Sequence, residues 1–291
     1  MERKRQKATT KSAMSSPPRS TKSGSATAPD IVSRTFDLVT SKAVLPFYIL
    51  AGGFSFYYGP KACSFPSPRP LEFVVFKLLP LVYLMELVRR RPQTICPVHD
   101  HARRYILLGL FVSIIGDALL AYKPDVLMII WFGTTCIAYV CYTIAFYQYY
   151  QEQTNKWAKA VFPLGAVLAA SLIYQIREPK LSGLIALYTL FLVVLGYFAL
   201  SRLETCRTAP AYLGWAGVKL FTLSSYLFAL NFLSPSSDSW ISDTVIIMAY
   251  FLGQLGIALS TYTIPLCPVD EPSNSSPLES DSSASVNLSR G

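Results

Sequence analysis

Three ionisable side chains, Lys77, Asp117 and Lys219, fall well inside long apolar runs of this 291-residue chain. A charge withdrawn from water is costly, so such groups are retained where they pair, hydrogen-bond or serve a reaction. Glu72 and Glu86 lie nearer the ends of their runs, where water is within reach. Ser224, Ser225 and Gln254 add polar groups from other runs, so several segments can furnish one buried pocket. Taken singly these residues are ordinary helix contacts, held by hydrogen bonds and ion pairs. Taken together they describe a lipid-accessible cavity built around one buried carboxylic acid. A Ser-His-Asp arrangement is excluded, because the only histidines, His99 and His101, sit in a basic loop that cannot reach the serines of the apolar runs. The same placement leaves no ligand cluster for a metal inside the runs, and no cofactor is expected.

The elements that must position these residues follow from composition. Apolar residues make up 52% of the chain and charged ones only 15%, a balance foreign to soluble domains. Runs long enough for a bilayer, which needs about 20 residues per helix, lie at 43–59, 71–88, 105–122, 126–148, 158–174, 181–200, 212–233 and 244–264. Lipid offers no partner to free backbone groups, and the runs lack the alternation of barrel strands, so the expected fold is all-α. It is a polytopic membrane helix bundle with about eight transmembrane helices, the first and fifth runs being the short ones. At 1.5 Å rise per residue Asp117 lies about 18 Å from the cytosolic end of its span, with Lys77 at similar depth on the oppositely directed neighbour. A salt bridge between them is allowed. Ser224 and Ser225 come to the same level, and Lys219 lies roughly 8 Å nearer the cytosol.

A net charge of +9 invites a nucleic-acid reading, but its placement argues for a membrane. Lys and Arg accumulate in the N-terminal tail, in the loop holding Arg89, Arg90, Arg91, Arg103 and Arg104, and beside Lys156, Lys159, Arg202 and Arg207. The other side receives only Lys61, Arg69, Lys123, Arg177 and Lys180. By the positive-inside rule both termini are cytosolic. The basic tail is expected to meet anionic lipid headgroups, and no nucleic-acid partner is expected. Residues 1–42 and 266–291 are polar, Ser-rich stretches expected to remain disordered, flanking one membrane domain at 43–265.

The apolar segments also carry motifs that resemble the lysoplasmalogenases of the YhhN, or transmembrane protein 86-like, family. Lys77-Leu78-Leu79-Pro80 is similar to that family's K-x-x-P, and Gly109 to Leu120, with Ser113, Gly116 and Asp117, to its G-x-x-x-S-x-x-G-D-x-x-L. Phe132 to Tyr139 resembles F-x-x-x-H-x-x-Y, with Cys136 in place of the histidine. Gly217 to Ala229 resembles G-A-x-L-F-x-x-S-D-x-x-L-A, with Ser225 where the family has its second aspartate. Tyr250, Gln254 and Ser260 are similar to Y-x-x-x-Q-x-x-x-x-x-S.

The resemblance implies hydrolysis of the vinyl ether bond of a lysoplasmalogen, yielding a fatty aldehyde and glycerophosphocholine or glycerophosphoethanolamine, in the endoplasmic reticulum. Protonation of the vinyl carbon suits a buried carboxylic acid, and activation of water suits a second carboxylate. It implies Asp117 as general acid or base, Ser225 as a holder of water, and Lys77 as a partner of Asp117 or of the substrate phosphate. Tyr139, Tyr250 and Gln254 would shape the substrate pocket with Ser224 and Lys219. The site departs from a carboxylate pair, since Asp117 has Lys77 and potentially Lys219 as neighbours. A cation within reach favours the charged form of a carboxylate. The alternative is therefore a catalytically inactive relative that binds a lysophospholipid and uses Asp117 in a structural ion pair.

Overall fold

Each of the eight apolar runs satisfies its own backbone as a helix. The structure, a computed structural model, describes residues 28–62, 70–91, 97–122, 124–149, 158–175, 179–233 and 240–262. The helices are α1 (Ala28–Val39), α2 (Leu45–Ala62), α3 (Leu71–Arg89), α4 (Pro97–Tyr122), α5 (Pro124–Tyr147), α6 (Val161–Gln175), α7 (Pro179–Cys206), α8 (Ala209–Leu233) and α9 (Trp240–Leu259), with a 3₁₀ turn at Ala158–Ala160 before α6. No strand occurs among the described residues. Helices α2 to α9 overlie the eight runs in order. Four stretches, Val98–Tyr122, Ile129–Tyr147, Ser182–Cys206 and Ala209–Asn231, are long and apolar enough individually to cross a membrane. Ala158–Tyr174 and Asp243–Leu259 are shorter apolar helices.

Two departures from the sequence reading are the largest. Helix α4 starts eight residues before its apolar run, at Pro97, a residue suited to a first helical turn because its missing N–H has no partner to lose there. Its early turns are polar, with Asp100 and Arg103 paired at 3.5 Å. Helix α1 forms within the stretch read as a disordered tail. Its Ile31, Thr35, Leu38 and Val39 are half-buried at helical spacing, while Val32 and Phe36 on its other face are exposed. Charge and serine content had hidden that short amphipathic period.

The most extensive interhelical contacts are α4 with α5 and α8 with α9. The second pair is unusually close. A Cβ added at Gly217 would stand 2.7 Å from the Gly253 carbonyl oxygen, and one at Gly253 would stand 2.8 Å from the Phe221 nitrogen. Small residues here let two backbones touch, the usual solution where lipid supplies no hydrophobic drive between helices. Ser224 Oγ adds a 2.7 Å bond to the Ile246 carbonyl, and Arg202 Nη2 donates at 2.7 Å to the Ser260 carbonyl at the end of α9. Around this pair Phe47, Leu81, Leu84, Leu110 and Phe251 form a fully buried core.

Candidate functional site

Lys77 lies about 9 Å along α3 from its start and Asp117 about 8 Å from the end of α4, so antiparallel packing brings them level. Lys77 Nζ meets Asp117 Oδ1 at 2.9 Å, and the Tyr250 hydroxyl donates to Oδ2 at 2.5 Å. Each carboxylate oxygen thus has a donor, from α3 on one side and α9 on the other. Hydrogen bonds to an ionised group are among the stronger kind, which suits a carboxylate only 6% exposed.

A second layer fixes these donors. On α4, Ser113 lies one turn before Asp117, and on α9, Gln254 lies one turn after Tyr250, so two i, i+4 pairs face one another. The Gln254 amide Nε2 donates to the Tyr250 hydroxyl at 3.4 Å and to Ser113 Oγ at 3.5 Å. Its Oε1 accepts from Tyr142 at 2.8 Å. Tyr142 reaches this position because Gly109 leaves room for its ring, which a Cβ there would meet at 2.3 Å.

A third group stands across the cavity. The Tyr139 and Tyr188 hydroxyls are 2.5 Å apart, and Tyr188 donates to Ser225 Oγ at 3.1 Å. Tyr139 also lies 3.4 Å from Ser225 Oγ. Between this trio and the charged pair is a cavity of about 80 Å³ lined by Lys77, Asp117, Tyr139, Ser225 and Tyr250 among others. That is room for a few waters or a small polar group. A second cavity of about 420 Å³ lies among α5, α6, α7 and α8 and is almost wholly apolar. Trp131, Tyr188, Ser225 and Phe228 line both.

The structure thus gathers Lys77, Asp117, Tyr139, Ser224, Ser225 and Tyr250 around one cavity, with Gln254 directly behind. Lys219 is not with them. It lines the second cavity, its Nζ 3.8 Å from the centre of the Trp215 ring. Depth had put it within reach of Asp117, but its azimuth on α8 points it elsewhere. Tyr188, Tyr142 and Ser113 join the site although none was singled out for it. A tyrosine in the middle of an apolar span, far from the headgroup level where tyrosines normally gather, was the available signal for Tyr142 and Tyr188. No second carboxylate lines the small cavity among the described residues.

Apolar helices packed around an interior ion pair and two adjoining cavities define a polytopic membrane protein with an internal polar site. The model of the YhhN family matches residues 73–261, from the start of α3 to the end of α9, and the chain belongs to this family of lysoplasmalogenase-like proteins. No match is found among curated proteins or among solved structures.

Proposed function

We propose that the chain is a membrane hydrolase of single-chain vinyl ether phospholipids, releasing a fatty aldehyde and glycerophosphocholine or glycerophosphoethanolamine. The observation that carries this reading is that Asp117 and Lys77 line a cavity instead of being packed over. A buried ion pair contributes little net stability, because the desolvation of both charges offsets their attraction. One that opens on a chamber has a use besides packing.

In this reading the proton transferred is the one that Lys77 donates toward Asp117 along their 2.9 Å hydrogen bond. Passed through Asp117 to the alkenyl carbon remote from the ether oxygen, that proton leaves an oxocarbenium ion at the adjoining carbon. The pair is then net negative and stabilises the cation electrostatically. A water held by Ser225 and Tyr188 adds to the oxocarbenium carbon and returns its proton to the pair. The resulting hemiacetal collapses, breaking its bond to the glycerol oxygen, which takes up the hydroxyl proton. One water is consumed and the pair is restored. In this reading a single carboxylate acts first as acid and then as base, with Lys77 supplying and recovering the proton that passes through it.

Purified protein incubated with a lysoplasmalogen in deuterated water is expected to release aldehyde and glycerophospho-base in equal amounts, with one deuterium on the carbon next to the carbonyl. Aldehyde no higher than in a lipid-only blank would contradict the hydrolase reading. A second reading has its own observation, since Asp117 already has both oxygens bonded and Ser225 replaces the family's second carboxylate. There the pair is structural and the chain binds a lysophospholipid without cleaving it. We place the protein in the endoplasmic reticulum with both termini cytosolic and the basic tail against anionic headgroups. That tail, as far as residue 27, lies outside the described residues.

A further inference from the structure

The larger cavity contains a feature that the chemistry at Asp117 does not use. Its walls are Leu, Ile, Val and aromatic side chains of α5 to α8, yet Lys219 stands among them. Among the described residues no carboxylate pairs with Lys219, and its ammonium rests instead on the face of Trp215. An aromatic ring gives a cation only part of what an anion would. Lys219 lies about 15 Å along α8 from Ala209, and because Trp215 is one turn earlier the ammonium bends back toward that end. The cavity also opens sideways. Leu164 on α6 and Leu223 on α8 both line it, and both are exposed on the outer, lipid-facing side of the bundle. At about 420 Å³ it falls within the size range of small-molecule sites.

We propose that this cavity receives the alkyl chain of a single-chain phospholipid entering between α6 and α8, and that Lys219 holds the lipid's phosphate. Charge complementarity selects the occupant: an apolar chamber with one cation at its rim, unmatched by any carboxylate among the described residues, suits one chain carrying one phosphate. The wall shared with the smaller cavity fixes the consequence. Ser225 lies about 9 Å further along α8 than Lys219, so a lipid anchored at Lys219 lays the atoms between its phosphate and its chain beside Tyr188 and Ser225. This deepens the hydrolase reading by naming how its substrate is held, and it rests on that reading only for the fate of the bound lipid.

Two probes separate anchor from chamber: 1-O-hexadecylglycerol 3-phosphate, whose saturated ether resists hydrolysis, and neutral 1-O-hexadecylglycerol. Titrated into the purified full-length protein, the phosphate probe is expected to bind about tenfold tighter. Lys219→Gln should abolish that preference while leaving the affinity of the neutral probe unchanged, and Lys219→Arg should keep it. Leu168→Trp, which fills the chamber, should weaken both probes, and Leu168→Phe does so more mildly if the larger side chain impairs folding. An undiminished phosphate preference in Lys219→Gln, or equal binding of both probes by the native chain, would overturn the proposal. Headgroup-dependent binding without aldehyde release from a vinyl ether would sink the hydrolase reading alone. Aldehyde release with kcat/KM unaltered in Lys219→Gln and no phosphate preference would sink only this one.

Discussion

At the scale of single residues the decisive question is whether the Lys77–Asp117 pair serves stability or reaction, and the two can be separated by substitution. Lys77→Met leaves a carboxylate without its cation and is expected to lower stability by about 3 kcal/mol, read as a fall in the thermal midpoint, and to lose aldehyde release. The double variant Lys77→Met with Asp117→Leu removes both charges and should recover most of that stability while remaining inactive. Recovery of stability together with activity would mean that the pair is not the proton carrier. Ser225→Asp tests the position at which the resemblance implies a second carboxylate. An aspartate there accepts from Tyr188 and Tyr139, which already point at Ser225 Oγ from 3.1 and 3.4 Å, and aldehyde release should rise. Asp117 and Lys77 were legible in the sequence because charges inside apolar runs stand out and helical rise gives their depth. Depth allows Lys219 to approach Asp117 but says nothing of azimuth, and the residue lines the neighbouring cavity instead. Five residues separate it from Ser224, about 140° around the helix.

Among elements, the α8–α9 contact holds the geometry of the site. Tyr250 and Gln254 face α4 because α9 lies backbone to backbone against α8 at Gly217 and Gly253. Gly253→Val is expected to force the helices apart, costing about 1–3 kcal/mol in overpacking, and to disturb the Tyr250 bond to Asp117. The corresponding assay should show a larger loss of kcat than Tyr250→Phe, which removes one donor and leaves the helices in place. Gly133→Ala is a fair control, since a Cβ there meets nothing within 4 Å. The helices themselves were readable from apolar run length, and all eight runs became helices α2 to α9. What run length does not convey is partner choice. Connections as short as the single residue between α4 and α5 announce a neighbour, whereas the packing of α2 against α9 joins helices far apart in sequence and has no local signal. Helix α1 escaped notice because one amphipathic turn pattern within a serine- and lysine-rich stretch is outweighed by composition.

For the molecule as a whole, the placement of Lys and Arg, taken with the eight crossings expected from the apolar runs, predicts that both termini share one side. Tags at the N- and C-termini should both be accessible in sealed vesicles from the same, cytosolic side, and Asn274 and Asn287, although each begins an N-x-S sequon, should remain unglycosylated. A glycan at either asparagine would reverse the orientation or change the number of crossings. The two cavities are also a property of the whole bundle, since their walls come from α3, α4, α5, α6, α7, α8 and α9 together. Sequence could suggest polar residues at one depth, but not that an apolar chamber adjoins them through Tyr188 and Ser225.

The most direct test compares aldehyde release by the native chain and by Asp117→Asn, with binding of the saturated ether phosphate probe measured on the same two preparations. Loss of general acid–base catalysis is expected to slow release by about 100-fold or more, while probe affinity stays within about twofold of the native value. Equal rates of release in the two proteins, with both folded and binding the probe, would contradict the role given to Asp117.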